Sequence, residues 1–276
     1  MNAPRGFHTA MEAVRGYDIH FVDEGRGFPV LLIHGLAGDH TAWTKQISVW
    51  GQRHRVIAPD TRGAGRSTQR DEPVTLEDLA DDFIALLDRL EIARCHVVGR
   101  SMGGSIGQII ALKAPERVQS LALLASCAKF EPIGRRCLDN MREVLEWRGS
   151  WAAHAAHSIP NFVSRRFYNA NPEMVAAVEA VIASSDRMPA TYCRQNHAVQ
   201  AHDVLDRLGE IACPVLIMSG GEDPLCGPEA TRWMVDRLPQ AEWVEFAGAS
   251  HFFFMEEPER FMLCMSDFLL RHTPSA

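Results

Sequence analysis

No stretch of this sequence is long and apolar enough to cross a membrane. A membrane helix needs roughly 18 apolar residues in succession, and no apolar run in the 276 residues approaches that length. The first ten residues include Pro4, Arg5, Gly6 and His8 and hold no continuous apolar segment, so they do not resemble the apolar region of a signal peptide. We therefore expect a cytoplasmic protein without a membrane partner.

The sequence also lacks closely paired cysteines and an excess of positive charge. The seven cysteines are scattered from Cys95 to Cys264, and none of them forms a C-x-x-C pair or shows the spacing of a zinc site. This pattern argues against a disulfide framework, indicates a reducing compartment and predicts no bound metal. The 28 Lys and Arg are outnumbered by 35 Asp and Glu, and the net charge of −7 disfavours binding to nucleic acid or anionic lipid.

What the sequence does contain is a regular alternation of short apolar runs and helical patterns, without internal repeats or linker-like segments. Strands are predicted at 11–15, 19–22, 29–33, 55–58, 95–98, 121–125, 215–218 and 242–246. Apolar strands separated by helices are typical of a mostly parallel sheet with helices on both faces. The sequence therefore predicts the α/β class.

Two helices can be placed by their ends. Thr75 and Asp78 resemble a capping box, and the apolar residues that follow recur at helical spacing up to Leu90. A second helix is predicted to begin immediately after Ser101 and to end before Pro115.

The alternation of strand and helix stops in the middle of the chain. About 80 residues of helical or irregular character separate the strand at 121–125 from the strand at 215–218, which is too long for an ordinary loop. We therefore predict a core formed by 1–128 and 209–276, with a helical cap of 129–208 inserted into it.

The strongest chemical signal is a serine between a predicted strand and a predicted helix. Residues 97–104 are Val-Val-Gly-Arg-Ser-Met-Gly-Gly, which places Gly-x-Ser-x-Gly around Ser101 in the context that a nucleophile elbow requires. The serine must occupy a sharp, strained turn, and Gly99 and Gly103 are small enough to let strand and helix pass closely. Ser101 is the predicted nucleophile.

A serine hydroxyl needs a base to activate it, and the base needs a carboxylate to orient it. His251 follows the strand at 242–246, and Asp223 follows the strand at 215–218, so both are predicted at the carboxyl edge of the sheet, where functional groups of open α/β sheets lie. We predict His251 as the base and Asp223 as its partner. Glu222 competes with Asp223, and spacing alone does not exclude three other carboxylates, Asp71, Asp78 and Asp139.

The third element is the apolar strand 29–33, which continues into His34, Gly35 and a flexible turn. We predict that the backbone amides of Leu36 and Met102 form the oxyanion hole. His34 itself is expected to be a structural hydrogen-bonding group rather than a second base.

With these landmarks, the chain resembles the α/β-hydrolase superfamily along nearly its whole length. The matching stretches are His34-Gly35, 60–67, 99–104, Asp223 and His251, and they are most similar to 3-oxoadipate enol-lactonases, small carboxylesterases and cofactor-free haloperoxidases. The resemblance implies the α/β-hydrolase fold and a serine hydrolase that cleaves an ester or lactone of a small molecule through an acyl-enzyme. It implies no cofactor.

Three alternatives stay open. A C–C bond hydrolase of ring-cleavage products would use the same triad, although those enzymes often carry Asn where this chain has Arg100 and Trp where it has Phe252. Haloperoxidase-type activity would also use it, and a receptor on the same fold would bind its ligand without turnover.

A homo-oligomer is compatible with the sequence. An acidic substrate is compatible with four arginines, namely Arg135, Arg136, Arg165 and Arg166, and the aromatic residues of the predicted cap suit an apolar one equally well.

Overall fold

The predicted strands assemble into one eight-stranded sheet in the computed structural model, which describes residues 6–275. The strands are β1 (Thr9–Val14), β2 (Tyr17–Glu24), β3 (Pro29–Ile33), β4 (Arg55–Pro59), β5 (Cys95–Arg100), β6 (Val118–Leu124), β7 (Val215–Gly220) and β8 (Glu242–Phe246). Residues 1–5, which the prediction about a signal peptide includes, and residue 276 lie outside the described part.

The strand order across the sheet is β1-β2-β4-β3-β5-β6-β7-β8. Strand β2 is antiparallel to both of its neighbours, whereas β3 to β8 pair in parallel. Parallel strands need crossover connections, and helices supply most of them. The predicted α/β class with a mostly parallel sheet is confirmed.

The helices among residues 6–275 are α1 (Thr44–Trp50), α2 (Leu76–Arg89), α3 (Met102–Lys113), α4 (Pro132–Arg148), α5 (Trp151–Ser158), α6 (Arg165–Ala170), α7 (Pro172–Ala183), α8 (Pro189–Gln200), α9 (Pro228–Arg237), α10 (Phe253–Glu256) and α11 (Pro258–His272). None of these helices has the length and apolar character of a membrane span. Both predicted helices are present. In α2, the Thr75 side chain accepts a hydrogen bond from the Asp78 amide (3.0 Å), and Asp78 Oδ2 accepts one from the Thr75 amide (3.1 Å), which completes the capping box.

Both faces of the central strands are buried, because successive side chains of a strand point to opposite faces. Val97 and Leu123 belong to an apolar cluster with residues of α2, α3 and α9, whereas Val98 and Leu124 belong to a second cluster with residues of α1 and α11. This explains why the strand sequences are continuously apolar rather than alternating.

A long helical segment connects β6 to β7. It contains α4 to α8, and its two ends meet at an isolated antiparallel bridge between Lys129 and Asp203. Lys129 Nζ also lies 2.6 Å from Asp203 Oδ2. The ends of the segment are therefore tied together where it leaves and rejoins the sheet, close to the predicted boundaries at 129 and 208.

Several histidines in the described part of the chain are buried without a carboxylate partner, among them His96, His154 and His202. Burial lowers the pKa of His96 to about 3 and the pKa values of His154 and His202 to about 4. The His96 ring bonds only to hydroxyl groups, those of Ser120 (2.7 Å) and Thr273 (3.0 Å), which a neutral imidazole satisfies. These side chains are therefore neutral in the folded protein near pH 7.

We predict that the protein loses stability as the pH falls from about 6.5 towards 4. The unfolded chain binds protons at these histidines below about pH 6.5, whereas the folded chain does not, so their stabilising contribution is complete above that pH and is lost as the pH falls. The slope is about 1.4 kcal/mol per pH unit for each histidine. Urea unfolding at several pH values measures it.

His96→Gln keeps a polar group at this position and should reduce the slope, whereas the control His197→Gln removes an exposed ring and should leave it unchanged. An identical slope in the wild type and His96→Gln would contradict the assignment.

Candidate active site

Ser101 lies in the sharp turn between β5 and α3. Its backbone has φ 52° and ψ −120°, a left-handed conformation that is strained for a residue other than glycine. The Ser101 amide donates to Leu124 O at the end of β6 (2.8 Å), and Ser126 Oγ donates to Ser101 O (2.9 Å). The neighbouring strand therefore holds the serine in this conformation.

Close backbone packing around the turn requires its glycines. A Cβ atom on Gly99 would lie 2.2 Å from Gly103 O, and one on Gly103 would lie 2.1 Å from Ile33 O. Both distances are too short for any side chain, and the obstacles are backbone atoms that cannot move aside. Helix α3 thus crosses β5 and β3 at a distance that only glycine permits.

His251 and Asp223 meet on the loops that follow β8 and β7. His251 Nδ1 lies 2.7 Å from Asp223 Oδ2, and the side chains are almost completely buried. The other carboxylate oxygen, Asp223 Oδ1, accepts hydrogen bonds from the amides of Leu225 (2.8 Å) and Cys226 (3.1 Å). Because Nδ1 donates to the carboxylate, the ring's other nitrogen, Nε2, is its proton acceptor.

The competing carboxylates lie elsewhere. Asp71 and Asp139 form ion pairs with arginines, Asp78 caps α2, and Glu222 is exposed. None of these four accepts a hydrogen bond from His251 in the part of the chain that the structure describes. Of the carboxylates considered from the sequence, the structure brings Asp223 to the histidine.

Ser101 and His251 line the same cavity, which has a volume of about 700 Å³. No hydrogen bond joins Ser101 Oγ to the His251 ring among the residues described. Phe162 contacts the histidine from the helical segment, with its ring centroid 5.8 Å from that of His251 and 4.7 Å from that of Phe252.

The two predicted oxyanion donors come from two segments next to the serine. Leu36 lines the cavity on the turn after β3, and Met102 is the first residue of α3. The preceding residue of the turn, Gly35, is so close that a Cβ on it would be 3.3 Å from Ser101 Cβ. Neither the Leu36 amide nor the Met102 amide donates to another residue within 6–275, so both remain available to a ligand.

His34 is fully committed to the backbone. Its Nδ1 donates to Gly35 O (2.8 Å), and its Nε2 accepts from the Thr61 amide (3.1 Å). Burial and the nearby Arg187 lower the pKa of His34 to about 4. The ring is therefore a neutral structural bridge, as expected, and it holds the turn that carries Leu36.

Among residues 6–275, two groups of side chains bring potential metal-ligating atoms within 4.8 Å of one another. One is Asp223 and His251 with Cys226. In the other, Asp60 accepts hydrogen bonds from the Nδ1 atoms of His20 and His40 (2.8 Å each) and from backbone amides. Burial alone would raise the pKa of Asp60, but these bonds hold it well below its usual range. The carboxylate thus organises the loop 60–67.

Sequence reasoning missed the charged residues of the cavity. Arg135, Arg136, Arg165 and Arg166, which suggested an acidic substrate, are all exposed and do not line it. The arginines that do line it are Arg100 and Arg187. The position of Arg100 directly before the nucleophile is a sequence signal for a place in the cavity, whereas nothing in the sequence marks Arg187.

The chain belongs to the α/β-hydrolase fold family, whose family model matches residues 29–258. RutD from Caulobacter sp. (strain K31), to which a carbamate hydrolase activity is attributed, is 31% identical over 242 residues, which span 87% of this chain and 90% of RutD. The resemblance predicted from the sequence is confirmed.

Two solved structures show the same fold over almost all of the chain. The enol-lactonase from Burkholderia xenovorans LB400 has a TM-score of 0.86 and 27% identity, covering 95% of this chain and 100% of that one. A thermophilic esterase from Thermogutta terrifontis, with malate bound, has a TM-score of 0.85 and 27% identity, covering 97% and 100%. These relatives are hydrolases, and this chain is an enzyme of the same family.

We predict that Gly103→Ala damages both stability and turnover. Its methyl group would overlap Ile33 O, and overpacking of this kind costs about 1–3 kcal/mol of unfolding free energy. Gly209→Ala is the matched control, because a Cβ there meets nothing within 4 Å. Urea unfolding and ester hydrolysis measure the two effects; equal stability of the two variants would contradict the close crossing.

Proposed function

We propose that this enzyme hydrolyses a carboxylic ester or lactone of a small molecule with Ser101 as nucleophile, His251 as general base and Asp223 as its orienting carboxylate. The observation that carries the proposal is the 2.7 Å contact from His251 Nδ1 to Asp223 Oδ2 beside the cavity that also contains Ser101. The esterase and enol-lactonase relatives support the choice of bond.

The first half of the reaction forms an acyl-enzyme. Ser101 Oγ attacks the substrate carbonyl carbon while His251 Nε2 takes the hydroxyl proton. The carbonyl oxygen becomes an oxyanion, which accepts hydrogen bonds from the amides of Leu36 and Met102. As the tetrahedral intermediate collapses, the imidazolium gives its proton to the leaving oxygen. The alcohol of an ester then departs, whereas that of a lactone stays on the acyl chain as a hydroxyl group.

The second half repeats these steps with water. His251 takes a proton from water as its oxygen attacks the acyl carbon, and the proton then passes to Ser101 Oγ when the ester bond to the enzyme breaks. Asp223 accepts a hydrogen bond from Nδ1–H throughout and stabilises the imidazolium in each half. The amides of Leu225 and Cys226 donate to Asp223 Oδ1 and so fix the orientation of the carboxylate toward the ring.

We also propose that residues 129–208 act as a cap that shapes the substrate cavity. Side chains from several of its helices line the cavity, namely His154, Met174, Val178, Ile182 and Tyr192. The segment is fastened to the loop of the histidine, because Glu256 accepts bonds from the amides of Ser164 (2.8 Å) and Ser250 (2.9 Å). Movement of the cap would therefore shift the loop that carries His251.

A carbamate is the second candidate substrate, favoured by the likeness to RutD. Its hydrolysis would use the same nucleophile and oxyanion donors, with a carbamoyl-enzyme in place of the acyl-enzyme. Comparing turnover of an ester with that of a carbamate of the same alcohol separates the two candidates. A receptor on this fold would turn over neither.

Ser101→Ala should lower kcat for hydrolysis of 4-nitrophenyl acetate by a factor of about 10⁴ to 10⁶, the range seen in other serine hydrolases. The wild type should release a burst of 4-nitrophenol close to one equivalent if deacylation is the slower half. Stopped-flow absorbance measures both. Undiminished turnover in Ser101→Ala would overturn the serine mechanism.

Asp223→Asn should lower kcat by about 10³ to 10⁴, because the amide would hold the wrong tautomer of the histidine. The control is Glu222→Gln, which changes the exposed neighbouring carboxylate and should keep nearly full activity. A larger loss of kcat in Glu222→Gln than in Asp223→Asn would show that Glu222, and not Asp223, orients the histidine.

A further inference from the structure

Two arginine side chains line the cavity of Ser101 without a carboxylate partner. Arg100 immediately precedes the serine, and Arg187 precedes α8. No carboxylate oxygen lies within 4.0 Å of either guanidinium in the described part of the chain. Elsewhere the protein pairs such groups; for example, Arg62 Nε donates to the buried Asp82 (2.6 Å). Neither guanidinium is therefore held in an ion pair of this kind, although Asp39, Asp60 and Asp186 are near enough to act on the charge of Arg187.

Arg100 has no hydrogen-bond acceptor among the described residues. Its guanidinium carbon lies 4.6 Å from the ring centroid of Phe254, 5.5 Å from that of Trp43 and 5.7 Å from that of Phe252. These aromatic rings favour the cation, but they do not supply acceptors for its five N–H groups. Burial lowers the pKa of Arg100 to about 10, which leaves it charged at neutral pH.

Arg187 adds a second positive charge and also supports the turn after β3. Its Nη2 donates to Gly38 O (2.5 Å), and its Nη1 donates to Gln195 Oε1 (3.4 Å). Two acidic residues also line the cavity, but Asp39 accepts from Thr41 Oγ1 and the Thr41 amide, and Asp186 is exposed. Neither competes for the N–H groups of Arg100.

We propose that the substrate carries a carboxylate and that Arg100 binds it. A guanidinium with unused donors matches a carboxylate in shape and charge, and such pairs are frequently bidentate. Arg100 Nε is 3.9 Å from where a Cβ on Gly35 would lie, so the bound anion would sit near the turn that holds the reacting carbonyl. The inference rests on the proposed function and specifies its substrate class as an ester or lactone with a nearby carboxylate.

The test compares two esters with the same number of acyl carbons, of which only one carries a charge. The 4-nitrophenyl monoester of glutaric acid and 4-nitrophenyl pentanoate have acyl chains of equal length, with a terminal carboxylate in the first and a methyl group in the second. Steady-state kinetics, corrected for spontaneous hydrolysis, give the kcat/KM value of each ester. The ratio to compare is that of the charged ester divided by that of the pentanoate. We expect Arg100→Gln to reduce this ratio by about 10- to 100-fold, mainly through KM of the charged ester.

Arg165→Gln is the matched control, since it removes an exposed arginine that does not line the cavity, and it should leave the ratio unchanged. An unchanged ratio in folded Arg100→Gln would overturn the proposal. Loss of both activities in Ser101→Ala tests the serine mechanism separately, because that variant retains Arg100.

A measurement on the wild-type enzyme does not depend on whether the Arg100 variant folds. Glutarate should inhibit hydrolysis of 4-nitrophenyl pentanoate competitively and at least ten-fold more strongly than glutaramide, its uncharged analogue. Equal inhibition by the two compounds would contradict a carboxylate site.

Discussion

The close crossing of α3 over β5 and β3 is the constraint on which the rest of the site depends. Gly99 and Gly103 allow backbone contacts that no side chain would tolerate, and the turn between them forces Ser101 into a left-handed conformation. The same crossing brings the first amide of α3 next to the turn after β3. One steric arrangement thus positions the nucleophile and two candidate oxyanion donors together.

The other two groups of the proposed triad come from loops after parallel strands, far from Ser101 in the sequence. Strands β7 and β8 lie side by side, so the loops after them bring Asp223 and His251 to a 2.7 Å contact although 28 positions separate them. Glu256 then joins the histidine loop to the helical segment. The proposed chemistry and the proposed carboxylate contact of Arg100, the last residue of β5, both belong to the sheet edge, whereas the helical segment lines the rest of the cavity.

Much of this arrangement could be predicted from the sequence because it depends on local patterns. The apolar strands, the Thr75 capping box and the serine turn all show in short stretches, and strand ends located Asp223 and His251. The lining of the cavity could not be predicted, because helices pack in ways that spacing does not encode. Arginines flagged by their charge proved exposed, while Arg187 reached the cavity from a stretch without any distinguishing pattern.

The central claim is that Ser101 forms a covalent bond with the substrate's acyl group, and chemical labelling tests it most directly. Diethyl 4-nitrophenyl phosphate reacts with serine nucleophiles that a neighbouring base activates, and peptide mass spectrometry locates the modified residue. The account predicts one diethylphosphoryl group per chain, on Ser101, and much slower labelling of Asp223→Asn. Labelling at another residue, or equal rates in the wild type and Asp223→Asn, would contradict it.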